Sequence, residues 1–148
     1  MSHVSDVAPG RLDLVRQFEN TVELPGGPDE LDSVEHAAKW CLGHGLAPVT
    51  DERHLALLRG FRETLRDLLA ANNGQSDVPA AWERLRPFLA RTRLGLAVDP
   101  ERGLELRPED KGPIASLLAI VYQSQLLGTW QRLRACRKAS CRFAYYDR

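Results

Sequence analysis

The chain has 148 residues and a mass of 16.6 kDa, with 43% hydrophobic and 27% charged residues. This length and composition suit one ordinary globular domain with its own core and exclude a fully disordered chain. Twenty basic residues balance twenty acidic ones. That zero hides an asymmetry: residues 128–148 hold six basic residues and one acid, a net +5. The body before them is therefore net −5, and a basic end on an acidic body suggests an anionic partner for the tail. The other reading of the tail is a solvated end without a partner.

The elements read in chain order as follows. Leu12, Val15, Phe18 and Val22 recur at helical spacing and predict a first helix from about Leu12 to about Thr21. Pro25-Gly26-Gly27-Pro28 forms a loop. Asp32 or Ser33 caps a second helix through Ala37, Ala38, Trp40 and Cys41, stopped by Gly43 and Gly45. A third helix runs from Thr50 to Ala71 on the stripe Leu55, Leu58, Phe61 or Arg62, Leu65, Leu68 and Leu69, and Asn72-Asn73-Gly74 stops it. Ser76 or Asp77 caps a fourth, which buries Trp82, Leu85, Phe88 and Leu89.

Then the period changes from helical to alternating. Leu94, Leu96 and Val98, followed by Leu104 and Leu106, predict a β-hairpin that must pack on helices or join another strand, because an isolated hairpin is marginal. The segment from Ile114 to Leu127 is apolar nearly all round and predicts a helix central to the core. Trp130 to Ala135 reads as a further helical turn or two. The fold class is α+β: a mostly helical domain with a short β-hairpin.

No segment approaches the ~20 apolar residues a bilayer needs, so no membrane span is expected. Met1 to Gly10 has no signal-peptide pattern, and three cysteines without such a signal fit a reducing, cytoplasmic setting. Neither a Gly-x-Ser-x-Gly elbow, a phosphate-cradling glycine loop nor His-Glu-x-x-His occurs, and the four histidines stand apart. The sequence therefore does not read as an enzyme.

Chemistry concentrates at the C-terminal end. Cys136 and Cys141 stand at the upper end of the spacing used by one arm of a structural zinc site, surrounded by Arg137, Lys138 and Arg142. One pair is half a site, and two free thiols or a local disulfide are equally compatible readings. Phe143, Tyr145 and Tyr146 either stack on bases or anchor the tail to the body. A second feature is polar: Arg16, Asn20 and Thr21 with Arg62 could line a pocket in which arginine clamps a carboxylate or phosphate. Alternatively, Asn20 and Thr21 cap a helix end and Arg62 forms a surface pair with Glu63.

Cys136-x4-Cys141-x-Phe143-x-x-Tyr146-Asp147-Arg148 resembles the first arm of the CGNR zinc finger. The preceding chain resembles, in order, the ABATE domain of the same family. The resemblance rests on Leu14-Val15-Arg16-x-Phe18-x-Asn20-Thr21, on Asp29-x-Leu31 with the Trp40 helix, on Leu58 to Gly74, and on Trp130-x-Arg132-Leu133-Arg134-x-Cys136.

The resemblance implies a stress-induced transcription regulator, with residues 1–127 as the ABATE-like body and 128–148 as the basic segment opening the finger. It implies zinc on Cys136 and Cys141 in the complete finger. DNA phosphates would be contacted by Arg137, Lys138, Arg142 and Arg148, and a small-molecule effector could act through the body.

The family's second arm, a Cys-Ser-Met stretch and then Cys-Gly-Asn-Arg, does not occur by Arg148, so this chain is expected to hold no zinc stably. Two routes could still complete a site: Cys41 with His44, or a homodimer sharing its Cys136 and Cys141 pairs. Cys41 reads instead as a buried structural thiol and His44 as a solvated helix end. A competing class is a small-molecule-binding module without a nucleic-acid role. A third is a structural dimer module, whose sign would be a large exposed apolar face.

Overall fold

The long third helix organises the chain. In the computed structural model, which describes residues 7–110 and 112–148, six helices and four short strands are formed. They are α1 (Leu12–Glu19), α2 (Val34–Gly43), α3 (Glu52–Asn72), α4 (Val78–Glu83), α5 (Arg86–Leu89), β1 (Leu94–Asp99), β2 (Gly103–Pro108), α6 (Pro113–Leu126), β3 (Leu133–Ala135) and β4 (Ala144–Tyr146). A 3-10 turn at Trp130–Arg132 joins α6 to β3. This is an α+β fold in which helix outweighs strand, as the periodicities predict.

Local chemistry sets the boundaries. The Ser33 hydroxyl accepts the His36 amide at 3.1 Å at the start of α2, and Asp51 accepts the His54 amide at 2.8 Å at the start of α3. Each satisfies an amide that the first helical turn leaves without a partner. The apolar stripe of α3 is then buried from Leu55 to Leu69. Phe61 packs on Phe18 of α1 and on Phe88, with ring centroids 6.0 and 5.4 Å apart. Phe18 also meets Trp40 of α2 at 5.8 Å.

Three elements depart from the sequence-based expectations. The fourth helix is broken into α4 and α5, and Leu89 is exposed. Pro87 has no amide to donate, and its ring would collide with the carbonyl of Glu83 in a continuous helix. Trp130 to Ala135 makes only the 3-10 turn before it becomes β3, which pairs antiparallel with β4 in the register Leu133–Tyr146, Arg134–Tyr145 and Ala135–Ala144. Local periodicity could not reveal that distant pairing. Helix α6 is buried from Pro113 to Val121, but Tyr122, Leu126 and Leu127 face outward. The β1–β2 hairpin packs on α6 through β2, as an otherwise marginal hairpin requires, and Leu96, Val98 and Leu104 stay exposed.

The core is continuous from α1 to β4. Trp130, Leu133, Ala135, Ala144 and Tyr146 belong to the same buried cluster as Phe18, Leu31, Phe61 and Leu117. Among the described residues no helix is long and apolar enough to cross a membrane.

Candidate functional site

The two cysteines singled out in the sequence sit at the closed end of the β3–β4 hairpin. Cys136 directly follows β3, and its amide donates to the Phe143 carbonyl at 2.9 Å, extending the ladder by one pair. The amides of Cys141 and Arg142 both donate to the Lys138 carbonyl, at 2.9 and 3.0 Å, closing a tight turn. Arg142 takes a left-handed backbone conformation, with φ of 49°, to re-enter β4. Both cysteines are half-buried free thiols, so no disulfide forms between them.

Asparagine amides hold this hairpin to the body. Asn72, at the end of α3, donates to the carbonyls of Trp130 and Leu133 at 3.0 and 2.8 Å. Asn73 donates to the Ala135 carbonyl at 3.1 Å. Asn20 donates to the carbonyl of Ala144 at 2.9 Å and accepts its amide at 2.8 Å, in the manner of a strand partner. The helix-stopping Asn72-Asn73 pair therefore has a second role that the stop signal did not reveal.

Behind the hairpin lies a buried charge network. Arg66 is almost wholly inaccessible; its guanidinium donates to the Arg142 carbonyl at 2.9 Å, the Glu19 carbonyl at 2.8 Å and the Glu63 carboxylate at 3.2 Å. The Glu19 carboxylate is fully buried 3.6 Å from Arg66, and its two oxygens accept no hydrogen bond. Burial pushes its pKa well above the carboxylate range, against the pull of Arg66. One helical turn back, Arg62 forks onto Asp29 with two bonds of 2.8 Å and donates to the Thr21 hydroxyl at 2.9 Å. Burial alone would raise the Asp29 pKa, but the Arg62 hydrogen bonds, the Leu31 amide and nearby positive charge outweigh it and hold it below its usual value.

The polar residues expected to line a pocket are thus only partly brought together. Thr21 and Arg62 meet inside the protein; Arg62 does pair with Glu63, at 3.2 Å, but from a buried position rather than on the surface. Asn20 turns to β4. Arg16 pairs with Asp13 at 2.6 Å on the outer side of α1. None of the four lines either of the two large clefts. Glu19, Asp29 and Arg66 were missed as members of this network. The available signal was spacing: Leu58, Arg62, Leu65, Arg66 and Leu69 fall on one stripe of α3.

The basic residues of the tail are unequal. Lys138 and Arg137 are exposed at the hairpin end, although Arg137 also donates to the Asn73 carbonyl at 3.1 Å. Arg142 reaches Asp67 at 3.4 Å, and Arg148 donates to the Val7 carbonyl at 3.0 Å.

Cys41 is fully buried, and burial pushes its thiol pKa up, which disfavours the thiolate that zinc needs. His44 is half-buried rather than solvated: it stacks on Trp40 at 4.2 Å, with a ring nitrogen 2.7 Å from the Trp40 carbonyl. Among the described residues no group of three or more His, Cys, Asp or Glu side chains is arranged to hold a metal ion.

Comparison with protein families gives this geometry its context. Residues 12–135 match the family model of the ABATE domain, described as "Putative stress-induced transcription regulator", and the chain belongs to that family. The match runs through β3 and ends one residue before Cys136. No curated protein matches the chain.

Proposed function

We propose that this chain is the regulatory body of a transcription regulator, and that its β3–β4 hairpin presents two cysteine ligands of a DNA-contacting zinc finger. One observation carries the reading: the turn bearing Cys136 and Cys141 is fixed at both strands by side chains of the family domain, through Asn20, Asn72, Asn73 and Arg66. A free tail would need none of these clamps. In the complete finger, Cys136 and Cys141 are two of four zinc ligands, and Arg137 and Lys138 at the exposed end meet phosphate, with Arg142 and Arg148 beside them. The network running from Glu19 through Arg66 to the Arg142 carbonyl joins the body to this turn.

The test is zinc content and duplex binding of a protein carrying the complete finger, with and without Cys136→Ser. The substitution is expected to remove the zinc and to abolish binding, and wild-type binding should weaken steeply with salt. Retention of zinc by the substituted protein would remove Cys136 from the ligand set.

A second reading is favoured by a different feature. A cleft of about 620 Å³ opens between α3 and the start of α6, with Leu57, Leu58, Phe88 and Ile114 among its apolar lining and His54 and Arg91 among its polar groups. Its size suits a small amphiphilic effector. Saturable thermal stabilisation by such a compound, abolished by Leu57→Trp, would support effector binding there; stabilisation that survives Leu57→Trp would place it elsewhere.

A further inference from the structure

The β1–β2 hairpin carries a face that the body covers only in part, at the half-buried Leu94 and Leu106. Directly opposed residues of an antiparallel pair project to the same side. The register pairs Leu94 with Pro108, Leu96 with Leu106 and Val98 with Leu104. All six residues of that face are therefore apolar. The opposite face holds Gly95, Ala97, Glu105 and Arg107. In a soluble hairpin packed on its own domain, the apolar face should be the buried one. Here Leu96, Val98 and Leu104 are 73, 70 and 71% exposed. Across a groove of about 890 Å³ lined by Leu104 and Leu106, the end of α6 adds Leu126 and Leu127, 71 and 78% exposed, and Tyr122 one turn back is 51% exposed.

We infer that this face, the apolar side of β1–β2 with the C-terminal end of α6, is the interface of a two-fold homodimer. The area supports a second copy as the occupant. Six large apolar residues, each presenting on the order of 100 Å², supply about 600 Å². Flanking groove residues such as Pro108 and Gln123 bring this towards the ~800 Å² per partner of a stable interface. A patch of about 600 Å² stands at the upper end of what monomers expose, where such patches mark interaction sites. The same apolar residues can meet their own copies across a two-fold axis, as an isologous contact requires. Charged side chains also line the groove, Arg102 at the hairpin tip, Arg107 paired with Glu105, and Arg11; in the dimer they form the polar rim around the apolar residues. The face is separate from the Cys136–Cys141 turn, so this inference stands whether or not the zinc reading does.

The test is sedimentation equilibrium of the full chain over a concentration series. The wild type is expected to run at twice 16.6 kDa at micromolar concentration. Leu104→Glu and Leu126→Glu, at exposed positions, should each weaken the dimer by about 100-fold, while circular dichroism and the melting transition of the monomer stay native. Substitutions that unfold the chain are replaced by Leu104→Ser and Leu126→Ser, with the same criterion. A wild type that sediments as a 16.6 kDa monomer at tens of micromolar overturns the inference. So does a dimer whose affinity is indifferent to both positions. A mixed dimer of Leu126→Glu with Leu126→Lys chains that forms more tightly than either variant alone would establish that the patches face each other.

Discussion

Replacing Arg62 by methionine tests whether this buried arginine is an internal clamp or a ligand-binding group. Methionine fills most of the stem but removes four donated hydrogen bonds, two to Asp29 at 2.8 Å, one to Thr21 at 2.9 Å and one to the half-exposed Glu63 carboxylate at 3.2 Å. Removing one partner of a buried ion pair costs ~3–5 kcal/mol because the other charge is stranded. The Asp29 side chain keeps 22% exposure, so water relieves part of that penalty and the loss should lie near the low end, about 3 kcal/mol. An unfolding entropy of ~2.1 cal/mol/K per residue over this length gives about 0.3 kcal/mol/K, so the melting temperature should fall by roughly 10 °C.

The loss should also depend on pH with a definite sign. Asp29 has a lowered folded-state pKa, so its contribution is present above the ordinary aspartate value and is lost as pH falls through the lowered one. The gap between wild type and Arg62→Met should therefore close in acid. Urea denaturation of both proteins, with Asp29→Asn and the double variant, completes the cycle, and a coupling of at least about 1 kcal/mol is expected. A stability loss below about 1 kcal/mol with no coupling would refute the clamp and return Arg62 to the pool of ligand-binding candidates.

Glu19→Gln should flatten the stability profile. The folded-state pKa of Glu19 is raised, so its favourable contribution is complete below the ordinary glutamate value and declines as pH rises through the raised one. Denaturant midpoints from mildly acid to neutral pH should show wild type losing ground to the variant, and parallel profiles would contradict this. Asn20→Ala removes a donor and an acceptor from the Ala144 backbone, so it should cost about 2 kcal/mol and accelerate hydrogen exchange at Ala144 before it does so in α3. Titration with a thiol reagent should modify Cys136 and Cys141 promptly and Cys41 only on unfolding, because Cys41 is the fully buried thiol of the three. Three equally fast thiols would mean that the α2 packing described here is wrong.

The helices were legible because their signals are local. Ser33 and Asp51 cap where a side-chain oxygen precedes an apolar stripe, and the Leu55-to-Leu69 stripe of α3 needs only its own spacing. The fourth helix was overextended because its apolar residues continue past Pro87, and the stripe drew attention away from the proline. What was hidden depends on pairing across the chain. Leu133 to Ala135 has too few residues for a strand period to show, and its partner lies nine residues further on. The burial of Arg62 and Arg66 was not legible, since an arginine's burial depends on acceptors that helix spacing alone does not locate. The family motif drew attention to Asn20, Thr21 and Arg62, but the jobs of these side chains became visible only with Ala144 and Asp29 in place. The end of α6 misled in the opposite direction: apolar character predicted burial, whereas Leu126 and Leu127 are exposed.

The bond between Asn20 and Ala144 also constrains how the chain is made. These residues are separated by 124 positions, yet the amide of one completes the strand edge of the other. Helices α1 and α3 emerge from the ribosome long before β4 exists, with Asn20, Asn72 and Arg66 still lacking their acceptors. The face of α3 that will meet Trp130 and Leu133 remains open during that interval. Synthesis must therefore pass Tyr146 before the interior can close, so the body matures late, as one unit with the turn that carries Cys136 and Cys141. A ribosome stalled before Ala144 would hold a nascent chain whose helices have formed but whose centre is still wet, a species that proteases and chaperones can tell apart from the finished protein.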